Sequence, residues 1–448
     1  MTFLDALGVR YIVAICTLLL LTACGGGGGG GGSGGDTGTT APTIPAIPIT
    51  LSNFTTLAVD DGPAALGTGN DASRAVDEAF VSVTICAPGT ATCQTIDHVL
   101  VDTGSVGLRI PGSVIGSALL AALPEQTDAQ SNPVGECYGY VDGYVFGSVR
   151  QTDFKIGGEA VANMPIQVIG DSGAFAIVPA ECSSGGGDNI STVKGLAANG
   201  IIGIGFTGTD CGQYCSVSGG HAAAIYYDCP AKGCGAIIAR AASMSAPFQQ
   251  LPNPVAAMAV DNNGSILDLP TLPSNGSRTA AGMLYFGIGT QTNNTLGAAT
   301  TLTTTSSADR NGVGLVSVAY QGRTLPDSFL DSGSNAYYFS DSTIPKCTVA
   351  SETGYYCPKP SAMPAPVITG ANGTRYSAGF TLFNADTLFL SGNAALPGLG
   401  ADPADVANFQ DISDSFDLGL PLFFGHRVYT GIEGRSAGTA ITPFFAIL

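Results

Sequence analysis

His98-Val-Leu-Val-Asp102-Thr-Gly-Ser105-Val-Gly-Leu-Arg-Ile-Pro111 is the stretch on which the reading of this chain turns. An apolar run ends on Asp102, Thr103-Gly104 supplies a turn, and a second apolar run follows. A carboxylate at the end of a buried strand, followed by a glycine turn, is held by backbone rather than left to solvent. Working outward, Phe80 to Ile85 and Thr95 to Val101 both alternate apolar with polar residues, and Pro88 and Gly89 lie between them. That pattern predicts a hairpin feeding the Asp-Thr-Gly turn. A second block repeats it: Gly314 to Tyr320, a turn at Gln321-Gly322, then Phe329-Leu330 before Asp331. Asp331 lies 229 residues after Asp102, a spacing that predicts duplicated lobes rather than a short-period solenoid.

The bare tripeptide Asp-[Ser/Thr]-Gly occurs four times, at Asp36, Asp102, Asp171 and Asp331, so context must separate sites from decoys. Asp36 lies in low-complexity sequence and Asp171 is assigned to a turn. The Asp102 stretch is similar to the first active-site segment of pepsin-like aspartic peptidases, and Ser328-Phe-Leu-Asp331-Ser-Gly-Ser334-Asn-Ala-Tyr-Tyr-Phe339 resembles the second. Gly143 to Gly158 resembles the flap hairpin and the strand after it, with Tyr140 at the flap tyrosine and Tyr138 as the alternative. Ile201-Ile202-Gly203 and Leu418-Gly419 resemble the segments that cross behind the two active-site loops. The resemblance runs from about residue 79 to 448, with a Cys-rich insertion near residues 207 to 240.

This resemblance implies an all-β, bilobal pepsin-like fold of two duplicated β-barrel-like lobes, residues 51–247 and 248–448, with the active site in the cleft between them. It implies that Asp102 and Asp331 are the catalytic pair of an endopeptidase acting on a peptide or protein. Two carboxylates about 3 Å apart cannot both ionise, so one serves as acid and the other as base. Thr103 and Ser332 are expected to cross-brace the loops, Gly104 and Gly333 to bring backbone N-H groups near the carboxylates, and Ser105 and Ser334 to bond their outer oxygens. Tyr140 would close the cleft, and no metal or organic cofactor is implied. Two departures stand out: Arg109 occupies the place of the usual flap-supporting Trp in a chain with no Trp, and Ser332 replaces the commoner Thr. Flap support is therefore expected to differ, and Arg109 to favour an ionised carboxylate at the site.

Other readings remain open. A pepsin-like fold that binds peptides or inhibits without cutting is the main alternative, and a purely structural envelope lipoprotein is the third. Gly170-Asp171-Ser172-Gly173 looks like the nucleophile segment of trypsin-like serine peptidases, but His98 and Asp102 on one strand do not have that family's spacing. His221 and His426 lack any paired-ligand context for a metal.

Lys and Arg total 16 against 34 Asp and Glu; the net charge of −18 repels phosphate backbones and excludes nucleic acid as a partner. Arg10, the apolar run Tyr11 to Leu21, and Leu21-Thr-Ala-Cys24 resemble a bacterial lipoprotein signal with its lipobox. Residues 1–24 are thus expected to be a signal peptide, with Cys24 lipidated and residues 25–50 a Gly/Thr/Pro-rich disordered tether about 28 Å end to end. The expectation is a monomer in the bacterial cell envelope, lipid-anchored to a membrane, with Gly25 after the Cys favouring the outer one. No Lys or Arg lies between Arg10 and Arg74, so activation by a basic prosegment is not expected. Setting aside Cys16 and Cys24 leaves ten of the 12 cysteines, read as up to five disulfides, first among them Cys86 with Cys93 and Cys347 with Cys357. Cys211, Cys215, Cys229 and Cys234 leave a four-thiolate zinc site as the alternative. The sequence also resembles a family of proteobacterial lipoproteins of unknown function.

Overall fold

Apolar residues at every second position build the first lobe. β1 (Phe54–Val59) is followed by β2 (Ala79–Cys86), which buries Val81, Val83 and Ile85 on one face. Each such side chain contributes about 1.5–3 kcal/mol on burial. The chain then reverses into β3 (Cys93–Asp102), and the Cys86–Cys93 disulfide closes the hairpin. β4 (Val106–Pro111), β5 (Val134–Gly139), β6 (Gly143–Ile156), β7 (Glu159–Ile169), β8 (Asp188–Asn189) and β9 (Gly200–Ile204) follow. β10 (Ala224–Asp228) and β11 (Ala236–Ala239) come from the Cys-rich segment. The computed structural model describes residues 53–67, 74–184, 187–210, 224–239, 250–305, 314–349, 353–406, 412–438, 440 and 442–448.

The second lobe contains β12 (Gly264–Asp268), β13 (Ala280–Phe286), β14 (Thr300–Thr303), β15 (Val316–Tyr320), β16 (Arg323–Leu330) and β17 (Tyr337–Tyr338). It continues through β18 (Val367–Thr369), β19 (Arg375–Ser377), β20 (Gly400–Ala401), β21 (Asp417–Leu418), β22 (Arg427–Gly431) and β23 (Phe444–Ile447). The fold is all-β and bilobal, as expected. The largest sheet runs β11-β10-β5-β6-β7-β4-β9-β3-β2-β1-β13-β12-β22-β23-β14, and a second sheet runs β19-β18-β15-β16-β21-β17-β20.

The duplication is visible where it matters for the site. β9 lies between β3 and β4, parallel to β3 with Gly203 opposite Asp102, and antiparallel to β4. β21 repeats this in the second lobe, parallel to β16 with Leu418 opposite Leu330, and antiparallel to β17. Threading a third strand between the two arms of each loop fixes the direction in which its Asp leaves the strand. One apolar core, containing Val99, Val101, Ile202, Leu330 and Leu418, supports both loops from behind.

Several contacts hold the lobes to one another. β1 pairs along its whole length with β13, Phe54 opposite Tyr285 and Val59 opposite Ala280. Arg74 donates to the carbonyls of Gly392 and Asn393 at 2.6 and 2.7 Å. Asp77, fully buried, accepts from the Leu396 N-H at 2.6 Å. The Cys-rich segment is more than an insertion at the surface, because β10 pairs with β5 over five residues and widens the sheet that carries the flap.

Candidate active site

The Asp102 and Asp331 loops meet with near-twofold symmetry. Asp102 Oδ1 accepts from the Gly104 N-H at 2.7 Å and the Ser105 N-H at 3.1 Å, and Oδ2 accepts from the Ser105 hydroxyl. Asp331 Oδ1 accepts from the Gly333 N-H at 2.8 Å, and Oδ2 from the Ser334 hydroxyl at 3.0 Å. Across the interface the Ser332 N-H donates to Thr103 Oγ1 at 2.9 Å and the Thr103 N-H to Ser332 Oγ at 3.2 Å. The Ser332 hydroxyl in turn donates to the Val101 carbonyl at 2.7 Å, so serine here makes the bonds expected of threonine.

The glycines explain how closely the loops approach. A Cβ on Gly104 would lie 2.6 Å from Asp331 Oδ2, and one on Gly333 would lie 2.7 Å from Asp102 Oδ1. Each carboxylate therefore rests against the glycine of the opposite loop, where no side chain fits. Thr103, Ser332 and Asp102 are all buried, and hydrogen bonds made there are not weakened by water.

Electrostatics couple the two acids. Burial, then the charge of Asp102, then that of Asp417 raise the Asp331 carboxyl well above its ordinary value. Such a pair titrates as a unit and holds one proton between its two carboxyls. Asp417 was not singled out in the sequence. It sits on β21 between Phe329 and Tyr338, is 2% exposed, and is itself raised by burial, with the Ser334 hydroxyl opposing and Asp102 adding to the shift. The signal was present: Asp417 immediately precedes Leu418-Gly419, in a strand whose burial calls for an apolar residue.

The cleft over the pair encloses about 400 Å³ and is lined from the first lobe by Tyr138, Tyr140, Leu100 and Ile201, and from the second by Phe329, Tyr338 and Ile412. Five of its lining side chains are acidic: Glu78, Asp102, Asp142, Asp331 and Asp417. Burial and then Asp142 raise Glu78, and burial with a smaller contribution from Asp102 raises Asp142.

β5 and β6 form a hairpin, the expected flap, joined through Tyr140 to Asp142, with the Tyr140 N-H donating to the Gly143 carbonyl at 2.7 Å. Tyr140 lies at the turn and Tyr138 behind it, their ring centroids 5.0 Å apart, and both line the cleft. Arg109 supports this pair from below. Its guanidinium carbon lies 3.6 Å from the Tyr138 ring centroid, and Nη2 reaches Glu136 Oε1 at 2.7 Å and Asp210 Oδ2 at 3.2 Å. All three charged side chains are buried. Arg109 packs against Tyr138 where a Trp was the usual residue, and, contrary to expectation, its guanidinium is held by Glu136 and Asp210 rather than by Asp102 and Asp331. Asp210 is raised by burial and by Glu136, with Arg109 opposing. Glu136 and Asp210 are separated from Arg109 by 27 and 101 residues, which hid them from local sequence patterns. Cys137, on the flap strand, is bonded to Cys182.

The decoys are accounted for. Asp171 is a structural acid that accepts from Ser148 at 2.6 Å, Arg150 at 2.9 Å and the Ser172 N-H at 2.7 Å. His98 faces Asp60 and Asp97, each at 3.3 Å, and His426 bonds Tyr376 and the Leu422 carbonyl. Cys347–Cys357 forms as expected, and Cys229–Cys234 is a disulfide, which removes two thiolates from the zinc alternative. Cys347, Cys357 and Asp386 lie close together, but the two sulfurs are bonded to each other. Cys24, Asp36, Cys211, Cys215 and His221 lie outside the described residues.

Among solved structures, the chain is similar to the aspartic proteinase from Irpex lacteus, with 12% identity, 88% of this chain and 96% of that chain covered, and a TM-score of 0.47. No curated protein matches it. The family described as "Protein of unknown function (DUF3443)" matches residues 50–447, and the chain belongs to that family.

Proposed function

We propose that this protein is an aspartic endopeptidase that hydrolyses peptide bonds with a water activated between Asp102 and Asp331. The observation that carries the reading is the reciprocal packing of each carboxylate on the other loop's glycine, locked by the Thr103–Ser332 cross-brace. Such bracing has no purpose in an ordinary turn, where Asp and Gly serve only local hydrogen bonding. In this mechanism Asp331 is assigned the shared proton, and Asp102 takes a proton from water as that water attacks the peptide carbonyl. Asp331 donates to the oxygen that becomes negative in the transition state. The N-H and hydroxyl donors of Gly104, Ser105, Gly333 and Ser334 hold both carboxyls in place before substrate arrives. In this reading Cys24 carries a lipid, and the cleft works at the bacterial cell envelope.

The test is cleavage of a peptide library by the purified protein between pH 3 and 8, beside Asp102→Asn, Asp331→Asn and a statine-type transition-state analogue. Cleavage that both substitutions and the analogue abolish supports the reading. Folded protein that cuts nothing, or cutting indifferent to both substitutions, refutes it and leaves a cleft that binds without catalysis.

A further inference from the structure

The second-lobe wall of the cleft joins an apolar patch to an acid. Leu315, Phe329 and Ile412 pack as one small cluster, with Tyr338 and, from the flap, Val141 against it. All five line the cleft, and so does Asp417. Strand register explains the grouping, because Asp417 pairs with Phe329 on one side and Tyr338 on the other and shares their face. Asp417 is 2% exposed, and its Oδ1 has no hydrogen-bond partner among the described residues. An unpartnered carboxyl oxygen in the interior costs stability and gives the fold nothing back, whereas a ligand cation would satisfy it.

We infer that this wall is a subsite for a basic side chain of the peptide, lysine or arginine, with its aliphatic stem on Leu315, Phe329 and Ile412 and its cationic head at Asp417. A long basic side chain is amphipathic in just this order, apolar along the stem and charged at the tip. The rest of the cleft offers no competing cation: the other ionisable acids lining it are Glu78, Asp102, Asp142 and Asp331, and no Lys, Arg or His is among the described lining residues. Arg109, buried behind Tyr138, is held by Glu136 and Asp210. The inference rests on reading the cleft as a peptide site, and it names the class of substrate that site takes.

Fluorescent octapeptides that differ at one residue, lysine in one and norleucine in the other, are titrated against purified Asp102→Asn protein, which the proposed mechanism leaves unable to cut. Norleucine keeps the stem and lacks the ammonium, and the residue is moved through the four central positions. At one position lysine is expected to bind roughly 10- to 100-fold more tightly, the range of a charge-assisted hydrogen bond. Adding Asp417→Asn is expected to bring that ratio close to one. Equal affinities at every position, or a lysine preference untouched by Asp417→Asn, overturns the inference. If the double variant fails to fold, the ratio measured on Asp102→Asn alone decides. Cleavage by the wild-type protein is scored separately, so loss of the peptidase reading and loss of the basic subsite give different results.

Discussion

Replacing Arg109 by methionine keeps most of the side-chain volume and removes the cation from a cluster in which Arg109, Glu136 and Asp210 are all buried. Removing one partner from a buried ion pair costs about 3–5 kcal/mol, because the remaining charge has no compensation. Loss of the contact with the Tyr138 ring, 3.6 Å from the guanidinium carbon, adds about 0.5–2 kcal/mol. The electrostatic part must depend on pH in a known direction. Without the guanidinium, a buried carboxyl is raised above its unfolded value of about 4, so the folded variant binds more protons than the unfolded chain. Its stability then falls as pH rises above that value. At pH 3 the carboxyls are neutral in both states, and what is missing is the contact with Tyr138 and the 2.7 Å bond from Arg109 to the Val106 carbonyl. Urea unfolding followed by circular dichroism is expected to show a deficit of about 3–5 kcal/mol or more at pH 7, shrinking to about 1–2 kcal/mol at pH 3. Equal deficits at the two pH values, or less than about 1 kcal/mol at pH 7, would refute the view that Arg109 works through the two acids. Tryptophan at position 109 is expected to behave like methionine, since it also leaves the acids unpaired.

The Asp102–Asp331 pair and the β5–β6 hairpin give sharper outcomes. Gly104→Ala places a Cβ 2.6 Å from Asp331 Oδ2, so the folded variant should lose roughly 100-fold or more in kcat while its circular dichroism spectrum is unchanged. Cys137→Ser with Cys182→Ser opens a loop of 45 residues and should cost about 4 kcal/mol in urea unfolding under oxidising conditions, a difference that a reductant removes. Cys24→Ala should abolish incorporation of labelled palmitate and release the protein from sedimented membranes.

What was legible in the sequence was whatever is local. An apolar strand, a turn and a carboxylate lie within a few residues of each other at both Asp102 and Asp331, so the loops and the hairpins feeding them could be read directly. Cys86 and Cys93 are seven residues apart on neighbouring strands, and their pairing was readable for the same reason. Arg109 was noticed as an oddity, but its partners come from distant segments that only the folded chain brings together. Asp417 is hidden in the sequence beside Leu418-Gly419, because a polar residue in a buried strand can be understood only once the cleft it faces is visible. The Cys-rich segment showed no strand pattern to link it to the flap, yet backbone pairing of β10 with β5 makes it part of the flap sheet.

The threading of β9 and β21 sets a rule of timing for this molecule. Asp102 is fixed only when residues 200–204 lie beside it, and Asp331 only when residues 417–418 do. The chain must therefore be almost wholly synthesised before either the pair or its cross-brace exists, and contacts between segments this far apart form slowly. A nascent chain, or one cut short before residue 417, holds two unrelated acids and no hydrolytic centre. The same topology that aligns the carboxylates thus keeps them apart until the chain is nearly complete, so under the proposed function no partly built chain could cut.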